Sequence, residues 1–236
     1  IDVRVGLGAA DFEREYLSAK RPVLVRGATD GAEWDALRTR WSRTEFGLRH
    51  GALSFRTSSI PYGHLFGAGS ATERVDAFLR RANASAAFDF AGGASRAYIF
   101  EHLSDGGPGA VLLDDIRLPS FAGVGAAASG AFRTHQFYLG PAGSGAPMHY
   151  HSSAINVLVH GRKRWYIAPP ADAVYSRVPI VEWLRGGGGA QVARPLLPCT
   201  QEPGDVLFIP DQWAHGVLNM AESIGYAVEL GGDMCG

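Results

Sequence analysis

Apolar positions recur with two different periods along this chain. Through residue 95, helical and strand patterns alternate. Phe12, Tyr16 and Leu17 share one face of a predicted helix over 10–20, with Asp11 placed as its N-cap. The β-branched run PVLVRGA (22–28) predicts a strand that ends in a glycine turn. Trp34, Leu37, Trp41 and Phe46 predict a helix over 33–47, and ALSFRTSS (52–59) alternates as a strand. Val75, Phe78 and Leu79, behind Thr72 as a cap, predict a helix over 72–82. From residue 97 the period shortens to two. AYIF (97–100), FRTHQFYLG (132–140), MHYH (148–151), INVLVH (155–160), KRWYIAP (163–169), DVLFIP (205–210), GVLNM (216–220) and IGYAVEL (224–230) read as short strands. Gly-, Ala- and Ser-rich loops at 103–110, 119–130 and 185–190 interrupt them. Many short strands with Gly/Pro turns predict a sandwich or barrel.

Composition narrows the function more than the fold. The 236 residues suffice for one large β domain with additions or for two small ones. No apolar run is long enough to span a membrane as a helix. The formal net charge is −1 with no basic block, which argues against a sequence-independent grip on nucleic acid. Cys199 and Cys235 fit no metal or redox spacing. The chain opens at Ile1 without a signal-like segment, which is compatible with a trimmed or mature form. Asn83-Ala84-Ser85 is a glycosylation triplet that has meaning only in a secretory protein. Of 22 basic residues only Lys20 and Lys163 are lysine, so a lysine between Arg162 and Arg164 stands out.

The candidate chemistry lies in PMHYHSSAINVLVHGRKRWYIAPP (147–170). On a strand His149 and His151 would point the same way, with Tyr150 opposite. Two imidazoles on one face can share an ion, and His215 in PDQWAHGVLNM is the best candidate for a third ligand. A histidine taken alone is more often an ordinary polar residue than a ligand, and His50, His64, His102, His135 and His160 read as structural or exposed; the His-x-His pair with a distant third histidine is what favours a metal.

AYIFEH, LGPAGSGAPMHYH, INVLVHGRKRWYIAPP and CTQEPGDVLFIPDQWAHGVLNM, in this order, resemble the JmjC group of Fe(II)/2-oxoglutarate oxygenases. The run WLRGGGG…ARPLLPCT…GDVLFIPDQWAHGVLNM is most similar to a JmjC branch associated with the endoplasmic reticulum lumen; cytosol or nucleus is the alternative location. The resemblance implies a mostly-β double-stranded β-helix of the jelly-roll or cupin type. It would form one domain over 1–236, with 1–95 as an α/β lead-in and 96–236 as the core. It implies His149 and His215 as ligands of Fe(II), with His151 where the family has Asp or Glu. It places the co-substrate lysine at Lys163, a supporting tyrosine at Tyr98, and active-site asparagines at Asn156 and Asn219. If Lys163 points inward, Trp165 and Ile167 must follow, with Arg164 and Tyr166 outside.

Departures from the family pattern shape the functional expectation. Ala146 and Ala227 stand where hydroxyl or amide contacts are common, and Tyr138 and His135 could compensate. A third neutral imidazole makes the site one unit more positive than the usual set. That favours a dianionic chelator, disfavours oxidation of the metal, and also suits zinc. Asp211 is an alternative carboxylate ligand. The main expectation is a 2-oxoglutarate-dependent hydroxylase of a protein or peptide side chain that uses O2. The alternatives are a metal-holding JmjC-fold binding module and a three-His dioxygenase of a small molecule. A monomer is expected, with neither nucleic acid nor membrane as partner.

Overall fold

The computed structural model describes residues 1–82, 87–123 and 133–231, with the side chains of Arg133 and Gln191 left aside. The glycosylation triplet and Cys235 lie outside the described residues. Among the described residues thirteen strands form two sheets. They are β1 (Asp2–Val5), β2 (Val23–Arg26), β3 (Ser54–Ser58), β4 (Ala71–Arg74), β5 (Tyr98–Leu103), β6 (Arg133–Gly140) and β7 (Gly145–His149). The remainder are β8 (Ser153–His160), β9 (Lys163–Ala168), β10 (Leu197–Gln201), β11 (Val206–Ile209), β12 (Ala214–Asn219) and β13 (Ser223–Leu230). The larger sheet runs β1-β2-β11-β8-β13-β6-β5-β3-β4, and the smaller runs β10-β9-β12-β7. This strand-rich pair of sheets has the jelly-roll architecture expected of the sequence.

The period of two decides what each face of the large sheet meets. Ile155, Val157 and Val159 of β8, Val206 and Phe208 of β11, and Tyr226 and Val228 of β13 pack with Trp41, Phe46 and Phe78 of the lead-in helices. Trp41 makes edge contacts to Phe46, Phe137 and Tyr226, with ring centroids 5.6–5.8 Å apart. The alternate residues, among them Tyr98, Tyr138, Leu158 and Leu207, face Trp165, Ile167 and Val217 of the small sheet. Both faces of the large sheet are therefore buried, which is why its central strands read as nearly continuous apolar runs. A third apolar cluster, with Met148, Ala168 and Leu218, lies on the far side of the small sheet under α5 (Ile180–Arg185).

The lead-in departs from the sequence expectation at three points. The 10–20 segment begins as α1 (Ala9–Phe12) and widens into a π-helical turn, Glu13–Leu17. The 33–47 segment is two helices, α2 (Ala32–Arg40) and α3 (Arg43–His50). Ser42 breaks it, because its hydroxyl accepts from the Glu45 amide at 3.4 Å and caps a new helix. In the 72–82 segment only Val75–Ala82 is helical, as α4, because Ala71–Arg74 pairs antiparallel with β3. Strands β1 and β10 and helix α5 were not foreseen.

Candidate metal centre

β7 and β12 are antiparallel neighbours, and His149 pairs directly with His215. Between that pair and the next one, Val217 with Ala146, two residues are spanned on β12 and three on β7. β7 thus carries a bulge at Pro147-Met148, a place that tolerates proline. The extra residue resets the parity of the strand. Ala146 and His149 both face the cavity between the sheets, while Met148 packs in the cluster under α5. His151 lies beyond the end of β7, not on a strand as expected, yet it turns to the same place. The ring centroids are 4.4 Å apart for His149 and His215, 4.8 Å for His151 and His215, and 5.4 Å for His149 and His151. One ligand nitrogen from each lies within 4.8 Å of the other two.

Each ring is held through its Nδ1. The carbonyl partners are Pro147 for His149 at 2.8 Å, Ser152 for His151 at 2.7 Å, and Trp213 for His215 at 3.0 Å. A carbonyl only accepts, so Nδ1 carries the proton and Nε2 keeps its lone pair. Such a contact fixes tautomer and ring orientation in a metal site. Burial pushes the His149 pKa down to about 3, with the His151 charge adding to the effect, and burial also holds His215 well below the ordinary range. Three imidazoles whose Nδ1 atoms are engaged by carbonyls, with Nε2 left to coordinate, are a donor set suited to a divalent transition metal.

Behind the histidines the cavity narrows to about 40 Å³, walled by Tyr98, Tyr138, Asn156, Trp165 and Val217. Lys163 closes its inner end with 3 % of its surface exposed. The parity of β9 is the one its sequence requires: Lys163, Trp165 and Ile167 are buried, with Arg164 and Tyr166 only half-buried. The Lys163 Nζ sits 3.1 Å from the centroid of the Tyr138 ring and 5.5 Å from that of Trp165. No acceptor or carboxylate pairs with it among the described residues, and burial holds its pKa far below the usual lysine range. Trp165 is locked in turn, because its Nε1 donates to Gln201 Oε1 at 2.9 Å and Gln201 Nε2 donates to the Asn156 carbonyl at 3.0 Å.

The JmjC-domain family profile matches residues 125–233, the stretch that holds all three histidines and Lys163. The chain thus carries a match to the JmjC domain. Over 98 % of its length it is 28 % identical to JmjC domain-containing protein 8 of Homo sapiens, across 83 % of that protein. It is 25 % identical to the Arginine-specific demethylase JMJ22 of Arabidopsis thaliana, across 93 % of this chain and 43 % of that protein. Identity to the 2-oxoglutarate and iron-dependent oxygenase JMJD4 of Homo sapiens is 35 %, across 37 % of this chain and 24 % of that one.

Within this JmjC domain the remaining expected residues divide. The Tyr98 hydroxyl lines the cavity and makes no hydrogen bond to a described group. Asn156 also lines it, with Oδ1 3.0 Å from the Tyr138 hydroxyl. Asn219 is placed elsewhere: its Nδ2 donates to Ser144 Oγ at 2.9 Å and pins the turn before β7, outside the cavity lining. Asp211 is turned toward Lys20 at 3.9 Å and joins no ligand cluster. Tyr138 does reach the cavity, whereas His135 is absent from its lining. Ala146 and Ala227 present methyl groups to it.

Two residues that sequence reasoning missed, Tyr62 and Glu229, frame the entrance, a vestibule of about 240 Å³ outside the histidines. The Tyr62 ring packs 5.1 Å from His149 and its hydroxyl points at the Pro147, Met148 and Ser176 carbonyls, bracing the bulge. Glu229, on the inward parity of β13, puts a carboxylate oxygen 3.7 Å from His151 Nδ1 and accepts from Gln136 and from Ser152 Oγ. Alternation along IGYAVEL was the one available signal for Glu229, since Tyr226 and Val228 face the helices.

Proposed function

We propose that this JmjC protein is an Fe(II)- and 2-oxoglutarate-dependent oxygenase that modifies a side chain of a protein or peptide. Lys163 carries the reading. An ammonium group buried without an acceptor costs stability unless an anion arrives, and it closes the cavity whose other end presents three free imidazole nitrogens. A keto acid with a second carboxylate spans such a pair of ends. Lys163 receives the distal carboxylate as a charge-assisted hydrogen bond, and the Tyr98 hydroxyl donates a second. Binding thus restores the lysine's charge and satisfies it.

His149, His151 and His215 hold the metal, which supplies activation of O2 and oxidation of substrate when bound. The Nε2 atoms of His149 and His215 bind without releasing protons at neutral pH, because burial already keeps these two rings unprotonated. Tyr138, Trp165 and Val217 keep bulk water from the inner cavity. The vestibule, with Tyr62, Tyr150 and Tyr175, receives the substrate side chain. With no carboxylate among its ligands, the site stabilises oxidised metal poorly, and turnover is expected to be slow.

The test is succinate release per bound iron at saturating 2-oxoglutarate, with and without a peptide pool, in the wild type and His151→Asp. Slow wild-type release that rises in His151→Asp supports the proposal. Absence of 2-oxoglutarate binding to the Mn(II)-loaded wild type, measured by calorimetry, would overturn it. A second reading is a metal-holding binding module with little catalysis. The narrow inner cavity and the methyl groups of Ala146 and Ala227 within it favour that reading. Tight binding of metal and keto acid, with no succinate in either form, would select it.

A further inference from the structure

A second concavity, of about 570 Å³, lies on the far side of the small sheet from the histidines. Its floor is built from outward positions of that sheet: Arg164 and Tyr166 of β9, Thr200 of β10 and Leu218 of β12. Val181, Leu184 and Arg185 of α5 form one wall, and Phe90 and Met220 stand partly exposed at the rim. Three arginines converge on this apolar floor. Arg162 is paired with Glu202 at 2.7 Å in an exposed bridge. Such a bridge contributes little and exchanges readily. Arg164 donates to the Thr200 hydroxyl at 2.9 Å, and Arg185 to the Gly92 and Gly93 carbonyls. Neither forms an ion pair with a described carboxylate, although Asp89 and Glu182 feel the Arg185 charge. The size is that of a ligand site, and the surplus of positive charge over a greasy floor is unusual in a chain of net charge −1.

We propose that this groove docks an extended acidic segment of a partner protein. Arg162 immediately precedes β9 and Arg164 is its second residue, and both line the groove two positions apart in the chain. An extended peptide repeats its own same-face side chains at every second position. Carboxylates at alternate positions therefore meet the two arginines, Arg185 closes from the helix side, and an apolar residue two positions further on enters between Leu184, Leu218 and Met220. A membrane surface is flat and would meet only the rim, which disfavours anionic lipid as the occupant. The groove shares no lining residue with the histidine cavity, so docking there is separable from metal binding.

The experiment is fluorescence anisotropy of the full chain with a labelled peptide centred on Glu-Ser-Glu-Ser-Leu. Its controls are the Gln-Ser-Gln-Ser-Leu peptide, and vesicles of phosphatidylserine and phosphatidylcholine as competitor. Saturable binding is expected, weakened about tenfold by glutamine replacement, by Arg164→Glu with Arg185→Glu, and by raised salt. Zn(II) binding by the reversed variant should equal that of wild type, which shows that the fold is intact. Equal affinity for the two peptides, undiminished binding by the charge-reversed chain, no saturation up to about 1 mM, or vesicle binding that peptide does not compete would each overturn the proposal.

Discussion

Replacing Lys163 by Met removes the charge but keeps most of the apolar stem. The structure gives the sign of the effect on stability. Lys163 is 3 % exposed, rests against the Tyr138 ring, and has no acceptor, so burial depresses its pKa. In the unfolded chain the same amine titrates near about 10.4. Between the depressed folded value and that figure, the unfolded state holds one more proton than the folded state, and folding becomes more favourable as pH rises. The limiting slope is about 1.4 kcal/mol per pH unit. Cys199 works the other way at higher pH. Burial pushes its thiol up to about 11, so ionisation of the unfolded thiol above about pH 8.5 favours unfolding. A comparison between about pH 7 and 8.5 therefore isolates the lysine. The wild type without ligand should gain up to about 2 kcal/mol across that interval, and Lys163→Met should be flat by comparison. Near pH 7 the variant should be about 1–3 kcal/mol more stable than wild type, the scale of an unsatisfied buried polar group. Saturating 2-oxoglutarate should protonate and pair the lysine, flatten the wild-type slope, and leave the variant unmoved. Urea unfolding followed by tryptophan fluorescence measures all four curves. Parallel pH profiles for wild type and variant would refute the reasoning, because the buried amine would then have found a partner.

Three further outcomes are expected. Because His149 is held at about 3 in the fold and titrates near about 6.5 when unfolded, the apo protein should lose stability as pH falls through that interval, and His149→Gln should shed about one proton's worth of this slope in acid titrations. Glu229→Gln removes the only carboxylate that the described ion pairs place beside the three histidines; it should weaken Zn(II) binding about three- to tenfold by calorimetry with little change in the fold, and unchanged affinity would deny Glu229 a part in holding His151. Gly145→Ala should cost more than about 3 kcal/mol by chemical denaturation, because Gly145 has φ +150° and a Cβ there would lie 1.9 Å from the Val217 carbonyl oxygen.

What could be read from the sequence, and what could not, follows from the range of each interaction. Strands that bury both faces announce themselves by composition, so INVLVH, DVLFIP and IGYAVEL were legible. The inward aim of Lys163 followed from parity once Trp165 and Ile167 were counted with it. The break at Ser42 was not legible, because the apolar spacing from Trp34 to Phe46 runs across it and the cap is a single local bond to the Glu45 amide. Ala71–Arg74 carries no strand pattern; its pairing with β3 is supplied by the neighbour. Tyr62 reaches the histidines only because the segment after β3 folds back over the bulge of β7, a contact between positions 85 and 86 residues apart. The grouping of Arg162, Arg164 and Arg185 needs α5, which sequence periodicity did not disclose.

The bulge at Pro147-Met148 makes backbone register, as well as chemistry, a determinant of the candidate metal centre. If β7 at its present length alternated regularly from Ala146 onward, Met148 would share the cavity side with Ala146 and the His149 imidazole would turn to the apolar layer under α5. Every ligand would still be present in the sequence, and the centre would be gone. Tyr62, whose hydroxyl contacts the Pro147 and Met148 carbonyls, braces the bulge from a distant segment. Loss of that brace would separate the histidines without altering any residue that a motif search inspects. In this chain, therefore, the irregular step ahead of the first histidine is itself a functional character, to be scored alongside the histidines when the ability to hold an ion is judged.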